Sequence, residues 1–462
     1  MLSKNQKVTL TVTDLNNLGY GVAHHEGLTI FVSGAIDGEV VEAQILAVKK
    51  TYCVARTLSI LSPSPHRIPN DCSAKGCGGC AYRLITYQHE KEIKRECVVG
   101  EFRKVGLPHV EIEPVVSTDV TCHYRNKAQY PISLGKDGGY EMGFYAPHSH
   151  RVVDGVDCPL QPQEFAEILG TLRAFFTAYH LSVYDETTGQ GLLRHVYLRR
   201  GTATGEILLT LVVNDTFIPG EEALISAITS AHKEVVGILL NTNMANTNVI
   251  CGDRWRTLWG RDYIEDVLCG VRLRLSAPSF YQVNHDATEL LYQHAACLAG
   301  LTGKEQVLDL YCGVGSIGLS MAHLAGEVIG AEIVREAVEN AKENAQRNGI
   351  HNAHFYCCDA TDPFGMLTSI SERGPITPDV VILDPPRKGC DATLLDYLAA
   401  REVPRIVYIS CNPATLARDV KYLLSLGYSL ASPVTPFDLF PRTGHVESVV
   451  CLTRRLDVDM RR

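Results

Sequence analysis

The chain has 462 residues, 45% of them hydrophobic, a formal net charge of −9 and 16 cysteines. That length suits two or three domains, and the charge argues against a nonspecific polyanion binder while leaving room for a local basic face that holds RNA. No long apolar run is free of charges or turn residues, and the opening MLSKNQKVTLTVTD lacks the apolar core of a signal peptide. A cytoplasmic protein is therefore expected, whose cysteines serve as metal ligands, catalytic thiols or core fillers rather than disulfides.

Residues 1–61 contain short runs rich in β-branched residues (VTLTVTDL, LTIFVSGAI, GEVVEAQILAVKK) with Gly and Asp-Gly turns between several of them. Five short strands at this spacing predict a small OB-like barrel, a fold that binds single-stranded nucleic acid but also serves as a structural cap. The pattern GYGVAHH followed by a strand and GAIDGEVVEA resembles the TRAM domain, an RNA-binding barrel. SPSPHRIP at 62–69 marks a linker.

The loop DCSAKGCGGCAY sets Cys72, Cys77 and Cys80 in a C-x4-C-x2-C spacing with glycines between them. Glycine lets a backbone fold tightly around an ion or cluster. Cys158, followed by Pro159, is the candidate fourth ligand. Zinc accepts four thiolates, but the three-plus-one spacing favours a [4Fe-4S] cluster over paired zinc knuckles. Residues 87–106 read as a helix whose charges alternate in sign, the pattern of a solvated face. Arg125, Lys127, Arg151, Arg194, Arg199 and Arg200 are candidate phosphate contacts.

The middle of the chain reads as α+β, with strands in EILLTLVVND and VVGILLNTN and helices in FAEILGTLRAFFTAYH and EALISAITSAHK. SFYQVNHDATELLY is expected to be a strand end presenting Tyr281, Gln282 and Asn284, then a helix. Gln282 offers both an amide donor and an acceptor.

From residue 303, strands and helices alternate, which predicts a parallel, doubly wound sheet. QVLDLYCGVGSIGL is a strand, a Gly-rich turn and a helix. Glu332, 23 residues after Asp309, ends the second strand, where an acid can hold ribose hydroxyls. Asp359 and Asp384 end the next two strands. RIVYISCN then delivers Cys411 to the carboxyl end of a fifth, the edge where such sheets bind ligands. A thiol there is either a nucleophile or a small apolar filler. The turn lacks the G-x-G-x-x-G cradle of nicotinamide enzymes, and with Glu332, Asp359 and DPPR it points to S-adenosylmethionine.

Taken together, CxxxxCGGC with the distal Cys158, FYQVN, DLYCGVGSIGL, DPPRKG, YISCNPATLARD and FPRTGHVESVV resemble the RNA uracil-5-methyltransferase family, especially its 23S rRNA-directed branch. The likeness covers nearly the whole chain; one departure is the four-residue gap between Cys72 and Cys77, where the family usually has five. It implies a TRAM barrel (1–61), a central α+β domain with an iron–sulfur loop (62–278) and a class I methyltransferase domain (279–462) on which residues 88–120 pack. It further implies S-adenosylmethionine as donor, a [4Fe-4S] cluster on Cys72, Cys77, Cys80 and Cys158, and a single-stranded or flipped uridine of 23S rRNA as target. Cys411 then matches the nucleophile and Glu447 the general base, with His445 beside it. Gln282, Tyr311, Glu332 and Asp384 match cofactor contacts, Ser316 and Asp359 further ones. The alternatives are a tRNA uracil-5-methyltransferase and a TRAM-containing iron–sulfur radical enzyme; the latter requires C-x3-C-x2-C and a different barrel.

Overall fold

The computed structural model describes residues 2–360, 362 and 376–455. Strands β1 (Lys7–Leu15), β2 (Tyr20–His25), β3 (Leu28–Ser33), β4 (Val40–Val48) and β5 (Tyr52–Ser62) close into a barrel in the order β1-β2-β3-β5-β4. Alternation along each strand sends Leu10, Val12, Ala23, Ile30, Val32, Val41, Ala43 and Ile45 inward. The five-stranded barrel expected from the turn spacing is thus present.

After the cysteine loop comes helix α1 (Tyr87–Lys104). Its alternating charges suggested a solvated face, yet Glu90 and Lys94 are buried along with Val98 and Phe102. The physical reason is long-range. Lys94 meets Asp438 at 2.8 Å and Glu90 at 2.7 Å, so paired charges take the place of water. The segment after α1 continues across the C-terminal sheet through bridges of Ile112 to Val434 and Val116 to Phe437.

A seven-stranded sheet follows: β6 (Lys127–Leu134), β7 (Tyr140–Tyr145), β8 (Val152–Asp154), β9 (Leu193–Arg200), β10 (Ile207–Val213), β11 (Val235–Thr242) and β12 (Arg254–Gly260). Helices α2 (Gln163–Ala178) and α3 (Glu221–Ala231) contribute Phe165, Leu172, Leu224 and Ile228 to the core with it. The hairpin of β13 (Tyr263–Leu268) and β14 (Val271–Ser276) stands apart from that sheet. Its Leu273 and Leu275 share a core with the C-terminal sheet.

That sheet holds β15 (Gln306–Leu310), β16 (Glu327–Glu332), β17 (Ala353–Cys357), β18 (Val380–Leu383), β19 (Arg405–Ser410), β20 (Tyr428–Leu430), β21 (Thr435–Phe437) and β22 (Glu447–Arg454). The order is β17-β16-β15-β18-β19-β22-β20, with β21 paired to β22. Strands β15 to β19 run parallel and β22 is antiparallel to β19. Around it lie α4 (His285–Ala299), α5 (Ser316–Met321), α6 (Arg335–Arg347), α7 (Ala392–Ala400) and α8 (Pro413–Ser425). The near-continuous apolar strands, such as VVIL and IVYI, are what burial on both faces requires. No helix among the described residues is long and apolar enough to cross a membrane.

Candidate active site

The carboxyl ends of β15, β16, β17, β18 and β19 lie side by side, so Tyr311, Glu332, Asp359, Asp384 and Cys411 share one edge. Glu447 reaches the same place from the opposite direction. Ser410 pairs with Ser448 across β19 and β22, and the next step along that ladder sets Cys411 opposite Glu447. The Glu447 and Asp384 charges act on the Cys411 thiol, and Asp384 acts on Glu447 as well. Asn412 stops β19 and caps α8 by accepting from the Ala414 N–H at 3.1 Å. Its Nδ2 also donates to the Arg387 carbonyl at 2.9 Å, tying the segment after Asp384 to the segment after Cys411.

Burial dominates the electrostatics. It pushes the half-buried Cys411 thiol up to about 11, with the charges of Glu447 and Asp384 adding and Arg387 opposing. Glu447, 3% exposed, is raised to about 8 by burial, then by Asp384, again against Arg387. Burial raises Asp384 to about 7. His445 is lowered, first by burial and then by the cations Arg387, Lys94 and Arg125. The edge therefore gathers acids that favour their neutral forms around a thiol, with Arg387 the cation acting on both Cys411 and Glu447.

The Gly-rich turn forms the other half of the edge. Tyr311 is held in the left-handed region at φ 65°, a strain that larger side chains accept only where surrounding structure imposes it. Gly315 sits at φ 79°, and a Cβ there would lie 2.8 Å from the Phe355 ring. Both Glu332 oxygens accept backbone N–H bonds, from Gly313 at 3.1 Å and Val334 at 2.8 Å. Asp309 accepts from the Gly318 N–H at 2.9 Å, its other oxygen is buried without a partner, and burial raises it to about 7. Ser316, at the start of α5, bonds the Tyr292 hydroxyl at 3.0 Å. Gln282 is buried, and its carbonyl accepts from Asn126 at 2.8 Å.

Gln282 does not end a strand. β14 stops at Ser276, and residues 279–284 form an irregular connection whose last member, Asn284, caps α4 by accepting from Ala287. Pro278 has no N–H for a ladder bond. Two of the arginines offered as phosphate contacts are internal. Arg199 is 2% exposed and bonds Tyr197 and the Ser279 carbonyl; Arg194 is buried on the carbonyls of Asn243 and Ala245.

Sequence reasoning passed over Tyr292 and Asp419. Tyr292 projects from α4 to Ser316 and is influenced by Asp384. Asp419, 2% exposed, accepts from the Tyr408 hydroxyl at 2.6 Å and the Cys390 N–H at 2.9 Å, bracing the turn after Asp384 against β19. An acid on the apolar face of an amphipathic helix was the available signal.

The loop 438–446 that leads into Glu447 is gripped from outside the sheet. Lys94 donates to Asp438 and to the Phe440 carbonyl, Glu90 accepts from the Arg442 N–H, and the Tyr124 hydroxyl donates to the Pro441 carbonyl. The Tyr82 N–H, beside the cysteine loop, donates to the Arg442 carbonyl. Cys72, Cys77, Cys80 and Cys158 all line one cavity of about 500 Å³. They do not converge on a single point: no group of three or more His, Cys, Asp or Glu side chains among the described residues is placed to hold one metal ion.

Residues 239–455 match the family profile described as tRNA (Uracil-5-)-methyltransferase, and residues 3–58 match the TRAM domain. A protein of Clostridium tetani described as an uncharacterized RNA methyltransferase is 39% identical over 98% of this chain and 97% of its own length. One of Listeria innocua with the same description is 39% identical over 98% and 99%. The crystal structure of Pyrococcus abyssi tRNA (uracil-54, C5)-methyltransferase in complex with S-adenosyl-L-homocysteine superposes with a TM-score of 0.77 at 27% identity, over 96% of this chain and 99% of that one.

Proposed function

Since the chain belongs to the RNA methyltransferase family that joins a TRAM domain to a tRNA (uracil-5-)-methyltransferase-like region, we propose that it methylates C5 of a uridine through a covalent bond from Cys411 to the base. The observation that carries this reading is the placement of Cys411 opposite Glu447 at the carboxyl edge, beside Asp384.

The Cys411 thiolate adds to C6 of the uracil, and the electron pair released makes C5 nucleophilic. S-adenosylmethionine supplies an electrophilic methyl group when bound. The C5 carbon forms the new bond to that methyl as the S–CH3 bond breaks, its electron pair staying on sulfur as S-adenosylhomocysteine. The Glu447 carboxylate then removes the C5 proton. The pair left behind re-forms the C5–C6 double bond and expels the Cys411 thiolate. Glu447, raised to about 8, is a base of useful strength near neutrality once ionised. Glu332, braced by two backbone N–H groups, would hold ribose hydroxyls. The tight turn at Gly315, where a Cβ would strike Phe355, fits close approach of the donor's backbone-facing atoms. Gln282, Tyr311, Ser316, Asp359 and Asp384 complete the donor pocket in this reading. A base stacked inside a helix cannot reach Cys411, so the target is an unpaired or flipped uridine.

The proposed RNA is 23S rRNA, on the strength of the combined motifs. The alternative is a tRNA, and the likeness to the Pyrococcus abyssi enzyme does not support it better. Incubating the protein and labelled donor with 23S rRNA and with tRNA, both lacking 5-methyluridine, decides between them: label in 23S rRNA alone supports the first reading, label in tRNA alone overturns it.

The cysteine cavity fits a [4Fe-4S] cluster better than one zinc ion. Cys72, Cys77, Cys80 and Cys158 line one cavity without converging on a single point, which suits a multinuclear group rather than one ion. The Gly79 N–H already points at the Cys77 sulfur at 3.3 Å, the kind of contact that supports a cluster thiolate. Cys72, Cys77, Cys80 and Cys158 would hold it, as an element that orders the loop against Arg442.

A further inference from the structure

The cavity lined by the four cysteines is also lined by Arg83 and Arg125. Arg83 is 6% exposed. Its Nη1 donates to Asp71, but Nε and Nη2 are buried with no acceptor. The Arg125 Nε is likewise buried and unpartnered, and after burial the groups acting most on its charge are Tyr124, Cys80 and Cys158. A guanidinium keeps its charge and can only donate. Asp71 answers only one edge of Arg83, and the remaining buried guanidinium donors are costly while they meet no acceptor.

We infer that Arg83 and Arg125 are the charge-compensating donors of the group the four cysteines hold. Resting on the cluster reading above, this assigns the Arg83 Nε and Nη2 and the Arg125 Nε to the sulfurs of a cluster that, with four thiolates, is a dianion. N–H donors and positive charge beside the sulfurs stabilise added negative charge, so both residues raise the cluster's reduction potential and slow its loss. Arg125 also lines a small cavity with Asn284, His285 and Asp286 at the start of α4.

The test is to purify the full chain without oxygen, as wild type and as Arg83→Gln, Arg83→Lys and Arg125→Gln. Iron and sulfide content, resistance to a chelator and the potential by electron paramagnetic resonance titration are then measured. Each Gln variant is expected to show a more negative potential and to lose iron about 10–100-fold faster. Arg83→Lys keeps the charge and should lie between wild type and Arg83→Gln. Iron-loaded Gln variants that keep the wild-type potential and chelator resistance overturn this inference alone. A wild-type protein that holds no iron under these conditions overturns the cluster reading, and the inference with it.

Discussion

Lys94 and Asp438, 344 positions apart in the sequence, meet at 2.8 Å with essentially no exposure on either side chain. This pair fastens α1, which follows the cysteine loop, to the loop that carries Glu447 into place. Removing Asp438 leaves Lys94 with Glu90 alone and strips the Tyr87 hydroxyl and the Phe440 N–H of their acceptor.

Asp438→Ala should accordingly lower stability by about 3–5 kcal/mol. Urea unfolding checks this. Replacing Lys94, Asp438 and Glu90 together, Lys94→Met with Asp438→Leu and Glu90→Gln, should recover much of the loss, because no buried charge of the group is left unpaired. A triple variant no more stable than the single one would show that the neighbouring Tyr87 dominates.

The raised Glu447 carboxyl gives stability a pH dependence of definite sign. Its folded value of about 8 lies above the ordinary value of 4.5, so in between the folded chain binds a proton that the unfolded chain has released. Stability therefore falls as pH rises through that window. Glu447→Gln should flatten the fall between about pH 5 and pH 8, measured as the difference in unfolding midpoint at those two values.

Activity should follow the opposite slope. The base must be ionised and the thiol, pushed up to about 11, must lose its proton. Single-turnover methylation by the wild type is expected to rise with pH through about 8, and Asp384, raised to about 7, shares in that titration. A rate that is flat from pH 6 to pH 9 would contradict the assignment of these groups.

Gly315→Ala places a Cβ 2.8 Å from the Phe355 ring on a backbone at φ 79°. The strain is of order 1–3 kcal/mol and falls on the turn proposed to hold the donor. Affinity for S-adenosylhomocysteine should drop by roughly tenfold or more by calorimetry. The global unfolding midpoint should move far less than in Asp438→Ala.

Much of this site could be read locally. A strand, then Cys411 and Asn412-Pro413, then a helix is a contiguous pattern, and so are the Gly turn and the strand-terminal Glu332 and Asp384. What escaped depended on distant parts of the chain. The charges of α1 read as solvated because their partners, Asp438 and the backbone of Phe440 and Arg442, lie more than three hundred residues away. The segment carrying Gln282 read as a strand because its residue types suit one, but Pro278 and the cap at Asn284 claim its backbone instead. Arg199 looked like a surface cation, and only the packing of the β9 end against Ser279 shows why it is internal.

The most direct measurement is made on Glu447→Gln mixed with S-adenosylmethionine and target RNA, then run on a denaturing gel, with mass spectrometry of the digested band. Proton removal should stall, leaving methylated RNA joined to the peptide that contains Cys411, and Cys411→Ala should abolish both the band and methylation while still binding S-adenosylhomocysteine. A Cys411→Ala protein that still methylates uridine at C5 would contradict the account outright.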